Sequence, residues 1–227
     1  MTDFVLDKIE KQPTTLRDVV LDRLRGAIIE GVFQPGDRLI ERVLCEQLGV
    51  SRTVVRETLR YLDAEGLVEH IPNKGPIVAP MTWDDARQIY DIRRKLETAA
   101  AMSCADNMTP DLKARLQSAL AELDKAVPER SSGAIFKATT RFYEAIFEGA
   151  GHTIAWEVVQ RLNGRISRLR IMTVSSDARE TSGPAHMHEI CDAIIARDPQ
   201  AALRAVESHL DDATAVAKGL LAGETAS

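Results

Sequence analysis

The sequence predicts a mainly α-helical chain in two parts, and three observations predict it. Aromatic residues make up only 4% of the chain, and its 44% hydrophobic content is mostly Ala, Leu, Ile and Val, a mixture that favours helices over strands. Apolar residues recur at helical spacing from Leu16 to Leu220. The pattern breaks once, at two short β-like runs, "LVEHI" and "PIVAP", around "PNKG". At 227 residues the chain suits two domains. A chain of that size buries roughly 70% of its unfolded surface and needs neither disulfide nor metal to fold.

The first helix is read from "TTLRDVVLDRLRGAIIEGVF", where Leu16, Val20, Leu24, Ala27 and Ile28 share one stripe and Gly31 stops the run. Pro35 and Gly36 in "QPGDRL" make a turn. "ERVLCEQLG" gives a short second helix with Val43, Leu44 and Leu48 inward and Gly49 as its terminator. Ser51 caps a third helix, whose inner stripe is Val55, Leu59 and Leu62 and which Gly66 ends. The runs around "PNKG" read as a small hairpin, and their prolines predict short edge strands. Helix, helix, tight turn, helix and hairpin is the order of a winged helix-turn-helix, assigned to residues 1–80.

Residues 81–227 read as helices alone. Thr82 with Asp85 makes a capping-box start, followed by Ile89, Ile92, Leu96 and Ala99 as the inner stripe. Thr109 and Pro110 start a second helix with Leu112, Leu116, Leu120 and Leu123. A third carries Ile135, Phe136, Thr139, Phe142, Tyr143, Ile146 and Phe147 and ends at "GAG". Thr153 opens a long amphipathic run to about Met172, followed by "SSDARETSG" as a polar loop or helix end. A helix from about Pro184 carries Ile190, Ala193 and Ile194. The last, capped by Asp198 and Pro199, carries Leu203, Val206, Leu210, Ala213, Ala217 and Leu220, with "AGETAS" as a frayed end. Short connections between about six helices predict an antiparallel bundle.

The third helix carries the first chemistry. Arg52 and Arg56, four apart, project from one side, away from the Val55 stripe. Ser51 and the free N–H groups of the first turn favour an anion such as a phosphate, and arginine also pairs bidentately with guanine in the major groove. Arg42 lies on the helix that would cross the backbone, and Asn73 and Lys74 lie at the hairpin tip, where a wing touches DNA. Arginines four apart are also what a solvated helix face shows, with Glu57 placed to neutralise one. The net charge of −5, and about 11 basic against 13 acidic side chains in residues 1–80, exclude a globally basic coat but not a local face.

The remaining composition excludes other classes. Cys45, Cys104 and Cys191 sit unpaired in apolar helical patterns and read as buried thiols of a reducing compartment. "MTDFVLDKIE" is not a signal peptide, and no run approaches the roughly 18 apolar residues of a membrane span, so the expected location is the cytoplasm. No Ser/His/Asp order, phosphate loop or metal-ligand spacing supports an enzyme.

Residue by residue, "RGAIIEGVFQPGDRLIE", "LCEQLGVSRTVVRETLRYLDAEGLV" and "PNKGPIV" resemble the GntR family of transcriptional regulators, almost continuously from Arg25 to Val78. The departures are Cys45 and Thr58 for usual alanines, Val54 for a frequent proline, and Lys74 where arginine is common. The resemblance implies a dimeric bacterial regulator that contacts operator DNA through Arg42, Ser51, Arg52, Thr53, Val54, Arg56, Asn73, Lys74 and Gly75. From "YDIRRKLETAA" to "VESHL" the chain resembles, more loosely, the FCD effector domain of the FadR-type subfamily. Many such domains hold a divalent metal through an Asp and three His, and the metal helps hold a small carboxylate. Here Thr139, Tyr143 and Met187 stand at three of those positions, and only His209 matches. His186 and His188, two apart on a helix, diverge by about 200° and cannot share one metal.

A one-residue shift that turns His186 or His188 inward would leave a metal possible; otherwise the expectation is a site without metal or other cofactor, with Arg93, Thr139, Tyr143 and His209 around a small organic acid. Arg93 could hold the carboxylate or pair with Glu97 at i+4, and Thr139 and Tyr143 could be satisfied core polars. Arg165 and Arg168 are further candidates, with solvated helix charges the plainer reading. The expected function is a repressor of a metabolic operon released by its effector. The alternative is a DNA-binding regulator whose bundle serves only dimerisation.

Overall fold

The computed structural model describes residues 15–129, 131–174 and 182–224. The "MTDFVLDKIE" start, most of "SSDARETSG" and the last three residues lie outside them. The winged part comprises α1 (Leu16–Ile29), α2 (Glu41–Leu48), α3 (Arg52–Ala64), β1 (Val68–Ile71) and β2 (Gly75–Val78). The bundle comprises α4 (Trp83–Asp106), α5 (Pro110–Ala126), α6 (Ser132–Gly149), α7 (Thr153–Val174), α8 (Ser182–Ile195) and α9 (Pro199–Glu224). Among the described residues no helix is long and apolar enough to cross a membrane.

The starts at Thr82 and Thr109 follow the predicted chemistry, and Thr15 adds a cap that the sequence reading does not name. The Thr15, Thr82 and Thr109 hydroxyls accept from Asp18, Asp85 and Leu112 N–H, and the first two are reciprocated as capping boxes. Gly49 ends α2 in the left-handed region at φ 65°, where a side chain would be strained, and so turns the chain directly into α3. The hairpin pairs Val68 with Val78 and Ile71 with Gly75. β2 is not the edge that its proline predicts. Segment 36–39 lies along its outer side, with Leu39 N donating to Pro76 O at 2.9 Å and Val78 N to Asp37 O at 2.9 Å.

Two apolar clusters hold the chain together. Val20, Leu24, Ile28, Leu44, Val55, Leu59, Leu62 and Val78 form the smaller one under the hairpin. The larger gathers Leu112, Leu116, Phe142, Phe147, Ile190, Val206 and Leu210 with their neighbours from all six bundle helices. α4 packs along α9, α5 against α6, and α8 against α9.

Two predicted stripes are displaced. Leu16 is exposed, because α1 runs one turn past the small core. α4 is rotated: Ile92 and Ala99 face outward, and Ala86, Ile89, Tyr90, Arg93, Glu97, Ala100, Ala101 and Cys104 are buried. An apolar-period reading puts every charge outside. In α4 one arginine and one glutamate neutralise each other and go inside as a pair.

Candidate DNA-binding face and buried polar centre

Ser51 caps α3, its Oγ accepting from Val54 N–H at 3.4 Å. Arg52, Thr53 and Arg56 follow on the exposed side of the helix. The sequence leaves Glu57 as a possible partner of one of these arginines, but Glu41 at the start of α2 holds both. Its carboxylate takes Arg56 Nε at 2.9 and 3.0 Å and lies 3.5 Å from Arg52 Nε. Arg42 pairs with Glu46 one turn along α2 at 2.8 Å. Arg52 and Arg56 remain more than half exposed, so the pairing orients them without burying them.

Val54 is half-buried against the small core, not fully turned outward as its predicted groove contact would have it. Thr58, the other departure on this helix, is buried and returns its hydroxyl proton to Val54 O at 2.9 Å. At the hairpin tip Ile71 O accepts from Lys74 N at 3.1 Å, with Pro72 and Asn73 at the corner and Asn73 at φ 65°. Asn73 and Lys74 are exposed, and Gly75 opens β2 at φ 83°.

The second assembly lies inside the bundle. Arg93 is 2% exposed and donates from Nε and Nη2 to the two oxygens of Glu97, itself 2% exposed, at 2.7 and 3.2 Å. Burial works to lower the Arg93 pKa, and the Glu97 carboxylate more than reverses this. The Tyr143 ring lies 5.9 Å from the Arg93 guanidinium carbon and 5.4 Å from that of Arg170, so two cations flank one aromatic ring. Burial, with Glu97 next, pushes the Tyr143 phenol up to about 12, and its hydroxyl makes no hydrogen bond among the described residues. Thr139 Oγ accepts from Arg170 Nη1 at 2.7 Å and donates to Ile135 O at 2.8 Å.

Arg170 and Thr139, with His209, line a narrow void of about 20 Å³, room for about one water, whose other walls include Leu123, Val127, Ile135, Pro184 and Met187. Of the four predicted effector residues, only Thr139 and His209 line this void. Arg93 is committed to Glu97, and Tyr143 stands behind Arg170. Sequence reasoning missed Arg170, because a third arginine in "RISRLR" carries no periodic signal.

The residues at the family's metal positions do not fit a divalent ion. The Thr139 hydroxyl is engaged, Tyr143 keeps its proton, and the buried Met187 offers a soft thioether. His186 lies ring to ring with His209 at 6.0 Å, while His188 turns away to Asp124 at 2.9 Å, the divergence that their spacing predicts. Among the described residues no group of three or more His, Cys, Asp or Glu side chains converges as a metal would require. Cys104 and Cys191 are buried free thiols, pushed up to about 12 and about 11 chiefly by burial, and Cys45 is half-buried.

α7 joins the two assemblies. Arg168 is not a solvated charge: it is buried and donates to Ala79 O at 2.5 Å, in the segment between hairpin and bundle. Arg165 Nε donates to Gly66 O at 3.2 Å, and Leu67 packs on Gly164 so closely that a Cβ there would come within 2.8 Å of it. On the other side of the junction Arg25 donates two hydrogen bonds to the Glu65 carboxylate, at 2.6 and 2.9 Å, and lies 5.8 Å from the Phe136 ring of α6.

A capped helix presenting arginines beside a hairpin, carried on a helical bundle with its own polar centre, defines a DNA-binding regulator. The bacterial regulatory proteins of the gntR family match residues 16–78, and the FCD domain matches residues 88–212. The chain belongs to the GntR family and carries an FCD domain; it is a helix-turn-helix transcriptional regulator, not an enzyme. It is 27% identical over 212 residues to the HTH-type regulator YdhC of Bacillus subtilis, covering 93% of each chain. To the HTH-type transcriptional repressor RspR of Escherichia coli it is 25% identical, covering 83% of each. A GntR transcriptional regulator from Rhodococcus sp. RHA1 superposes with a TM-score of 0.73 at 31% identity, over 89% of this chain and 97% of that one.

Proposed function

We propose that the protein is a cytoplasmic, homodimeric repressor that binds a short palindromic operator and is released by a small organic acid held in the bundle. Arg42, Ser51, Arg52, Thr53 and Arg56 supply the contacts of α2 and α3, with the half-buried Val54 at their margin, and Asn73, Lys74 and Gly75 supply those of the wing. The relative named as a repressor supports the sign of regulation.

The observation that carries the effector reading is α7. One helix lines the void with Arg170 and holds the winged part through Arg165 and Arg168. A ligand that favours one position of α7 favours one placement of the DNA-binding parts, which is a population shift with differential contacts at both ends. The narrowness of the void favours the second reading, a bundle used only for dimerisation. Selecting operator sequences with the purified protein and then screening metabolites for release separates the two. A metabolite that weakens operator binding supports the repressor with effector. A screen in which none does, and none shifts the melting temperature, supports dimerisation alone.

A further inference from the structure

The winged part and the bundle are tied together at α7, but beside that junction they stand apart. α1 and α6 enclose an open cleft of about 370 Å³, within the range of metabolite sites and far larger than the void inside the bundle. Its floor is apolar: Ala27 and Ile29 come from α1, and the half-buried Phe136 ring comes from α6. Gly26 and Gly133, one on each helix, add no side chain to it. A Cβ on Gly26 would meet nothing within 4 Å, so no packing contact requires glycine there, although glycine weakens a helix interior.

The charges around this floor are not all engaged. Arg25 is committed: it donates to both oxygens of Glu65 and to Asp22. Arg23 and Lys137 are exposed and have no carboxylate partner among the described residues, and Glu30 has no basic one. A Cβ on Gly133 would lie 4.0 Å from Glu30 Oε1, and Phe136 lies by Arg25, so α6 runs counter to α1. Lys137 thus falls at the Arg23 end of the cleft. Glu30, about two helical turns or roughly 10 Å from Arg23, closes the other end.

We propose that this cleft binds a nucleoside monophosphate whose base bears an amino group. The two free cations match the two charges of a phosphate monoester, where a monocarboxylate would leave one of them unmatched. The apolar floor and the Phe136 ring take a flat base. At the far end the Glu30 carboxylate accepts from the amino group. A ligand so placed touches the DNA-binding part through α1 and the bundle through α6 at once. The cleft shares no residue with the void beside Arg170, so this site stands or falls separately from the acid effector proposed above.

Titration calorimetry and melting temperatures of the full-length protein test it, with AMP, adenosine, ribose 5-phosphate and inorganic phosphate as probes. Wild type is expected to bind AMP and to melt higher with it. The other three, each lacking the ring or the phosphate, should bind at least about 10-fold more weakly. Gly26→Leu fills the cleft from a position where a side chain clashes with nothing; it should melt at or above wild type and lose AMP binding. Lys137→Met should weaken AMP binding about 5- to 10-fold and leave that of adenosine unchanged.

Wild type that takes up no AMP at millimolar concentration overturns the assignment. So does AMP binding that Gly26→Leu leaves intact, which would put the nucleotide elsewhere, Arg52 and Arg56 included. Inorganic phosphate bound as tightly as AMP would mean an adventitious ion only, and overturns it too. If Gly26→Leu melts below wild type, the exposed Lys137→Met decides in its place: an AMP affinity equal to wild type overturns the assignment, and the expected loss confined to AMP upholds it.

Discussion

Replacing Glu97 by Gln tests the buried centre through its ion pair. The two side chains are each 2% exposed and joined by two bonds, at 2.7 and 3.2 Å. Gln has nearly the shape of Glu, so the substitution opens no cavity; it removes the charge and turns one of the two acceptors of Arg93 into a donor. It strands the Arg93 guanidinium in a core that already holds Arg170. Breaking a buried pair from one side costs about 3–5 kcal/mol, a large share of the roughly 5–15 kcal/mol that stabilises a domain. At about 2–4 °C per kcal/mol this lowers the melting temperature by roughly 6–20 °C. Circular dichroism melts and urea titrations read it, with an unchanged urea slope showing that stability, not compactness, has moved. Arg93→Met with Glu97→Leu removes both charges and should recover most of the loss. A Glu97→Gln protein within about 0.5 kcal/mol of wild type would refute the reasoning, since it would mean that water or another group already compensates Arg93.

Three further outcomes follow from the same geometry. Glu41→Gln frees Arg52 and Arg56 from their shared carboxylate, so affinity for random DNA should rise while the ratio of operator to random affinity falls, as competition binding would show. Gly66→Ala puts a Cβ at φ 69°, 2.0 Å from Arg165 Nε, and should cost about 1–2 kcal/mol in backbone strain as well as displacing the Arg165 bond, read as a lower melting temperature. Arg168→Gln cuts the tie to Ala79 O, and should lower the ratio of operator affinities with and without effector while effector still raises the melting temperature.

Much of this molecule could be read in its sequence because local chemistry decides it. Thr15, Thr82 and Thr109 start helices whatever surrounds them, and Gly49 forces the turn before α3. The bundle stripe Leu112, Leu116, Leu120 and Leu123 is buried as its period predicts. What stayed hidden depends on pairing across distance or within a helix. A charge is assigned to solvent by default, so Arg168 reads as solvated, Arg93 and Glu97 stay open between a ligand and each other, and Arg170 is not singled out. The structure buries all four, two as a pair, one on a backbone carbonyl and one against a tyrosine ring. The same default offers Arg52 or Arg56 the neighbour on its own helix, Glu57, where the fold brings up Glu41 from α2 to both.

The central claim is that α3 reads operator DNA through Arg52 and Arg56. The direct measurement is the affinity of wild type and Arg56→Ala for the selected operator and for scrambled DNA, across a salt series. If Arg56 reads a base, Arg56→Ala should bind the operator about 5- to 150-fold more weakly and scrambled DNA nearly as wild type does. If it holds a phosphate, both affinities should fall together and the salt slope should drop by about one. An Arg56→Ala protein that binds both DNAs as wild type does, at every salt concentration, would contradict the assignment of α3 as the recognition helix.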